Sequence, residues 1–119
     1  MDQNVLYEVT AKTRALMEAP TCCASAKEAA QRWLDAVGTA AEKQETARYI
    51  AELEADIMPI DQLIGFAQSE KGAAYFGAET ADSIAAHAQE IKAAGAVYCD
   101  CPACSLVEEI LRKKVDMLG

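Results

Sequence analysis

Ser25-Ala26-Lys27-Glu28-Ala29-Ala30-Gln31-Arg32-Trp33-Leu34-Asp35-Ala36-Val37-Gly38 reads as one complete helix. Ser25 and Glu28 form a capping box, in which the serine oxygen accepts a free backbone N–H and the glutamate reaches back. Ala30, Trp33, Leu34 and Val37 follow at steps of three and four, so they share a face. Gly38 is placed to take the left-handed conformation that ends a helix. Directly after it, Thr39 and Glu42 repeat the capping box and open another helix. A start, a stripe, a stop and a new start in immediate succession indicate an all-α chain.

The flanking sequence continues the pattern. Upstream, Asn4 to Met17 carries Val5, Leu6, Val9, Leu16 and Met17 on one face, and Pro20 ends it. Downstream, the helix opened by Thr39 runs to about Asp56 with Thr46 or Ala47, Ile50, Leu53 and Ile57 inward. Pro59 breaks the run. Ile60 to Gln68 follows, with Leu63, Ile64 and Ala67 inward, and Ser69 caps a short turn through Tyr75. Gly72 and Gly77 make that region the least regular. Glu79 to Ala94 is a long helix with Ile84, Ala88 and Ile91 as its core row, closed by Gly95. A final run, Leu106 to Leu118, has Val107, Ile110 or Leu111, and Leu118 on one face. Arg112, Lys113 and Lys114 sit near its end, where cations complement the helix dipole. No stretch sustains a period of two. The expected fold is an up-and-down bundle of about five long helices plus a short irregular one, forming a single domain over residues 1–119.

Composition narrows the function. The chain has 119 residues, enough to bury a core without disulfides. Its net charge of -8 disfavours nucleic acid and anionic membranes as partners. No apolar run approaches a membrane span. The N-terminus lacks the basic and apolar regions of a signal peptide, which points to the cytoplasm. There, five cysteines are thiols or ligands rather than structural disulfides.

The chemistry concentrates in Tyr98-Cys99-Asp100-Cys101-Pro102-Ala103-Cys104-Ser105. Pro102 suits the first position of a helix, which puts Cys101 at or beside the N-cap and Cys104 one turn in on the same side. Free N–H groups and the helix dipole favour thiolates there, while Asp100 opposes them. Three readings follow. In the first, Cys99, Cys101 and Cys104 bind zinc or an iron–sulfur cluster, with Cys22 or Cys23 as a further ligand. In the second, Cys101 and Cys104 are a catalytic dithiol that exchanges with a protein or small-thiol redox partner. The third leaves the cysteines inert in a protein-interaction module, which is open to homo-oligomer formation. The segment Cys101-Pro102-Ala103-Cys104 resembles the active-site segment of thioredoxin-like oxidoreductases over those residues only, without the βαβ context of that family.

Counting passes through the bundle places Cys22 and Cys23 at the same end as Cys99, Cys101 and Cys104. His87 is the only histidine and lies beside a core row, about 12 Å of helical rise from Gly95, so it reads as structural. The acids around Glu45 and Glu52 read as a solvated face. No P-loop, dinucleotide-binding, zinc-protease or nucleophile-elbow motif is present.

Two segments carry a resemblance that spans nearly the whole chain. Glu52-Leu53-Glu54-Ala55-Asp56-Ile57-Met58-Pro59-Ile60-Asp61 and Tyr98-Cys99-Asp100-Cys101-Pro102-Ala103-Cys104 resemble a family of small helical proteins from anaerobic bacteria. Some of its members carry a molecular-chaperone or heat-shock label. The resemblance implies a chaperone-like role, although no ATP-binding motif of the large heat-shock chaperones is present.

Overall fold

The computed structural model describes residues 1–118 and is all-α. The described residues form α1 (Gln3–Glu18), α2 (Ala24–Ala36), α3 (Glu42–Asp56), α4 (Ile60–Ala67), α5 (Glu70–Phe76), α6 (Ala78–Ala93), α7 (Pro102–Leu111) and α8 (Lys114–Leu118). Five of them are long and three are short, where one short helix was expected. The helix opens at Pro102, as its first-position signal indicated, but the expected run from Leu106 to Leu118 breaks at Arg112-Lys113. Arg112 pairs with Glu108 of its own helix, while the two lysines reach carboxylates on other helices. Lys113 meets Glu8 at 3.3 Å, and Lys114 meets Glu54 at 3.0 Å. Such exposed pairs contribute at most about 1 kcal/mol each. Among the described residues no helix is long and apolar enough to cross a membrane.

The helices gather into two compact units: Met1–Ile57 with the chain from Asp100 onward, and Met58–Cys99. In the first unit α2 packs on α3, and α1 packs on α2 and α7. Its centre is Trp33, fully buried and stacked on Tyr49 with ring centroids 5.4 Å apart. Two aromatic side chains bring two polar atoms into the core, and each finds a partner. Trp33 Nε1 donates to Thr46 Oγ1 at 2.9 Å, and Thr46 Oγ1 donates to the Glu42 carbonyl at 2.7 Å. The Tyr49 hydroxyl pairs with Thr13 Oγ1 at 2.9 Å. The hydrophobic stripe had indicated Thr46 or Ala47, with Ile50, Leu53 and Ile57, for α3; Thr46 and the three aliphatics are buried, Ala47 is exposed, and Tyr49 joins the buried set.

Both expected capping boxes are absent, for separate reasons. Helix α2 starts at Ala24 with Cys23 as its N-cap, so Ser25 already lies inside the helix and no side chain caps it. The Cys22 N–H bonds the Ala19 carbonyl, and Cys22 is buried, so the chain turns before it reaches Ser25. Thr39 is committed elsewhere: its Oγ1 donates to the Ala36 carbonyl at 2.6 Å and accepts from the Ala41 N–H at 3.2 Å. It therefore closes the connecting turn, and α3 starts later, at Glu42. Gly38 does end α2 as expected, at φ +83°.

The second unit consists of α4, α5 and α6. Ser69 caps α5 as expected, accepting the Gly72 N–H at 3.1 Å. Gly72 is buried against the end of α4, where any Cβ would overlap the Phe66 carbonyl. Of the expected row of α6, Ala88 is buried, but Ile84 and Ile91 are half-buried and Ala81 and Ala85 take their place, because the small residues let α4 and α5 approach closely. The two ends of this unit pair with each other. Ile60 N–H bonds the Val97 carbonyl at 2.9 Å, and Cys99 N–H bonds the Met58 carbonyl at 2.8 Å.

Two expected outcomes follow. In urea titration Ser69→Ala should cost about 1 kcal/mol, while Ser25→Ala stays near neutral because it caps nothing. Equal effects would show that the helix starts lie elsewhere.

Burial pushes the Tyr49 phenol up to about 12, against a smaller opposing effect of the Thr13 hydrogen bond. The folded state thus holds this proton more tightly than the unfolded state. Its stabilisation is complete below the ordinary phenol value and is lost as pH rises from about 10 to about 12. The urea midpoint should fall across that window by more than in Tyr49→Phe, and identical alkaline profiles would contradict it.

Candidate metal centre

The N-terminus of α7 brings the thiols together, and its donors can be followed one by one. Cys101 is the N-cap, extended at φ -60° and ψ 158°, and Pro102 follows inside the first turn with no N–H to satisfy. Ala103 N–H bonds Thr21 Oγ1 at 3.0 Å. Cys104 N–H bonds Cys101 Sγ at 3.4 Å. Ser105 N–H makes the first helical bond, to the Cys101 carbonyl at 2.9 Å, and Ser105 Oγ donates to the Asp100 carbonyl at 3.1 Å. The expected N-cap role of Cys101 is what the structure has.

Convergence of the sulfurs follows from two periodicities. Cys99 and Cys101 are two apart in extended backbone, so their side chains leave on one side. Cys101 and Cys104 are three apart across a helix start, so they too share a side. The result is local to a short segment: the Sγ atoms of Cys99, Cys101 and Cys104 all lie within 4.8 Å of one another. Cys99 and Cys101 are half-buried, and Cys104 is 9% exposed. Cys99 is held from behind by its backbone bond to Met58. Exposed Asp100 stands between the first two thiols in sequence and adds negative charge, while the α7 dipole opposes it.

The other two cysteines sit in the turn between α1 and α2. Cys22 is buried and Cys23 exposed. Burial pushes the Cys22 thiol up, Cys23 and Asp56 add to that, and Lys27 opposes it. Cys22, Cys23 and Cys104 line one cavity of about 70 Å³ in the first unit, together with Thr21, Asp56 and Leu16. The sequence-level expectation of a common end is thus met for these three residues. Cys22 and Cys23 stay outside the three-sulfur group, however, so no four-thiol shell forms among the described residues. No disulfide links cysteines among the described residues. His87 lies on the exposed face of α6 and takes no part in the group.

Two residues of this region escaped the sequence reading. Thr21 supplies an acceptor to the α7 N-terminus across 82 positions of sequence, which no local pattern reveals. Asp56 did leave a signal. An acid on the last residue of a helix opposes the dipole, and Asp56 ends α3. Glu52, one turn earlier, hydrogen-bonds Asp56, and that bond holds the Glu52 carboxyl above its usual range.

Exposure orders the thiols. With metal-free, reduced protein at pH 7, iodoacetamide should modify Cys23 and Cys101 well before Cys22 and Cys104. Peptide mapping at short times reads the order, and Cys104 reacting as fast as Cys101 would contradict the N-cap arrangement. Set against protein-family models, curated proteins and solved structures, the chain matches none of them, and the reading of this site rests on its own residues.

Proposed function

We propose that this chain is a metal-binding protein whose centre is the thiolate set Cys99, Cys101 and Cys104, and that the metal is a single zinc ion. The observation that carries the reading is the mutual approach of the three sulfurs within 4.8 Å. Tetrahedral zinc with Zn–S bonds of about 2.3 Å holds its sulfurs roughly 3.8 Å apart, so closing the set takes about an ångström of side-chain adjustment. A [4Fe–4S] cluster places each cysteine on a separate iron and a [2Fe–2S] cluster divides its cysteines between two irons, so three cysteines on either spread their sulfurs more widely than one ion does. The spacing therefore favours one ion over a cluster. Zinc binding displaces the thiol protons, and the α7 N-terminus favours the thiolate form that the metal needs.

A set of three thiolates leaves a fourth tetrahedral position for water or an external ligand. That arrangement supports metal binding without assigning a reaction. The dithiol and interaction-module readings are distinguished from it by the same preparation.

Protein purified without oxygen should contain one zinc per chain, remain colourless and show Cys99, Cys101 and Cys104 protected from alkylation. Replacing Cys101 by serine should weaken zinc by more than about a hundredfold, since even outer-shell changes cost ten- to a hundredfold. Zinc at a hundred times its Kd should stabilise the fold by about 2.7 kcal/mol. Brown, iron-containing protein would replace zinc by a cluster. Metal-free protein with a reversible Cys101–Cys104 disulfide would make this a redox protein. Neither metal nor reversible disulfide would leave an interaction or chaperone-like module.

A further inference from the structure

The first turn of α7 divides its N–H groups between two acceptors. An N-cap side chain ordinarily accepts from the second or the third residue after it. Here those residues are Ala103 and Cys104. The Ala103 N–H goes instead to Thr21 Oγ1, at 3.0 Å, in the turn between α1 and α2. The Cys101 sulfur takes the Cys104 N–H, at 3.4 Å. The division matters because Cys104 is both that donor and a member of the thiol set. A Cys101 sulfur directed at the Cys104 backbone is brought toward the Cys104 thiol, and both belong to the group whose Sγ atoms approach within 4.8 Å. A hydroxyl is a good acceptor and a sulfur a weak one, so Thr21 takes the Ala103 N–H in preference. Thr21 is itself held, since the Cys22 N–H bonds the Ala19 carbonyl at 3.1 Å and closes the turn that carries it. Thr21 and Cys104 line the same cavity, within the first unit.

We propose that Thr21 is a positioning residue of the metal centre, acting through the Ala103 N–H on the orientation of Cys101. This rests on the metal-binding reading of Cys99, Cys101 and Cys104. With the Ala103 N–H occupied, the N-cap sulfur is directed to Cys104 and stays with the set. Without the Thr21 hydroxyl, the Ala103 N–H loses its acceptor and competes for the same sulfur, which draws Cys101 away from Cys104. Zinc affinity then falls, because the competent arrangement is only a fraction of the population. Groups outside the ligand shell that orient ligands change metal affinity by about ten- to a hundredfold. Thr21 differs from the usual case in reaching a backbone N–H rather than the ligand itself.

The test compares the reduced full-length chain with Thr21→Val, which keeps the shape and lacks the hydroxyl, and Thr21→Ser, which keeps the hydroxyl. Zinc Kd is measured without oxygen by competition with a chromophoric chelator, and circular dichroism confirms the fold of each variant. Thr21→Val should weaken zinc by at least about tenfold, and Thr21→Ser should stay within about twofold of the unsubstituted chain. A residue that only stabilised the fold would lower the urea midpoint of the metal-free protein and leave the Kd of the folded protein unchanged. Amide exchange at Ala103 in the unsubstituted chain tests the same link without any substitution, should Thr21→Val fail to fold. Coupling is reciprocal, so zinc should slow that exchange by at least about tenfold. An unchanged Kd in Thr21→Val, a Thr21→Ser as weak as Thr21→Val, or zinc-independent exchange at Ala103 would each overturn the proposal. An unsubstituted chain that binds no zinc would instead remove the metal centre, and the proposal with it.

Discussion

The first unit depends on the stack of Trp33 on Tyr49 and on the two threonines that satisfy them. Large aromatic rings supply much of the apolar area in a chain otherwise built from alanine, and stacking adds about 0.5–1.5 kcal/mol beyond burial. Each ring also carries a polar atom into the core, and leaving one unpaired would cost about 1–3 kcal/mol. Thr46 and Thr13 meet that requirement, so the rotation and register of α1, α2 and α3 are tied together at one layer. A slip of one residue in any of the three would separate a donor from its acceptor. The fixed layer has consequences at the ends of these helices, where α1 leads into the cysteine-bearing turn and α3 finishes at Asp56.

The helical class was legible because its signals are local. Pro20, Gly38, Pro59 and Gly95 each mark a boundary through φ, and the apolar stripes are periodic. Gly38 and Ser69 behave as read. Ser25 and Thr39 do not, because a capping box is only one use of a hydroxyl. Thr39 has two backbone groups nearer to hand, in its own turn, and takes those. Ser25 is overruled from upstream, by the burial of Cys22. The core row of α6 was legible only at Ala88, for a related reason. Isoleucine looks like the inward residue in a stripe, but close packing of short helices selects the alanines. Tyr49 lies beside the aliphatic stripe and goes inside because Thr13, distant in sequence, supplies the partner for its hydroxyl.

The site divides in the same way. Cys99, Cys101 and Cys104 converge through local geometry, which is why spacing alone indicated them. The Cys101 N-cap is likewise a local consequence of Pro102. The relation of Cys22 to Cys104 is tertiary, and counting helical passes reached it only coarsely: the residues share a cavity, yet their thiols do not complete one shell. Asp56 was set aside with the other acids of α3 because a row of Glu and Asp on a helix is nearly always solvated. What separates it from that row is its position at the helix end, together with the turn that covers it.

The choice of cysteine at the N-cap of α7 says what that segment is built for. Sulfur is a weak acceptor, and its bond to the Cys104 N–H is long, at 3.4 Å. Serine or aspartate would satisfy that donor better, since both rank at the top of N-cap preferences. The lost capping is offset by the Thr21 hydroxyl, which takes the Ala103 N–H, and by Pro102, which removes one donor altogether. With two of the helix-start demands met elsewhere, Cys101 keeps sulfur where a hydroxyl would serve the helix better. The same N–H that holds Cys101 Sγ in its neutral form bonds more strongly to a thiolate, because charge-assisted hydrogen bonds are the stronger kind. A cation that draws the proton from Cys101 would therefore tighten the helix start as it binds, which couples the order of the segment to its occupancy.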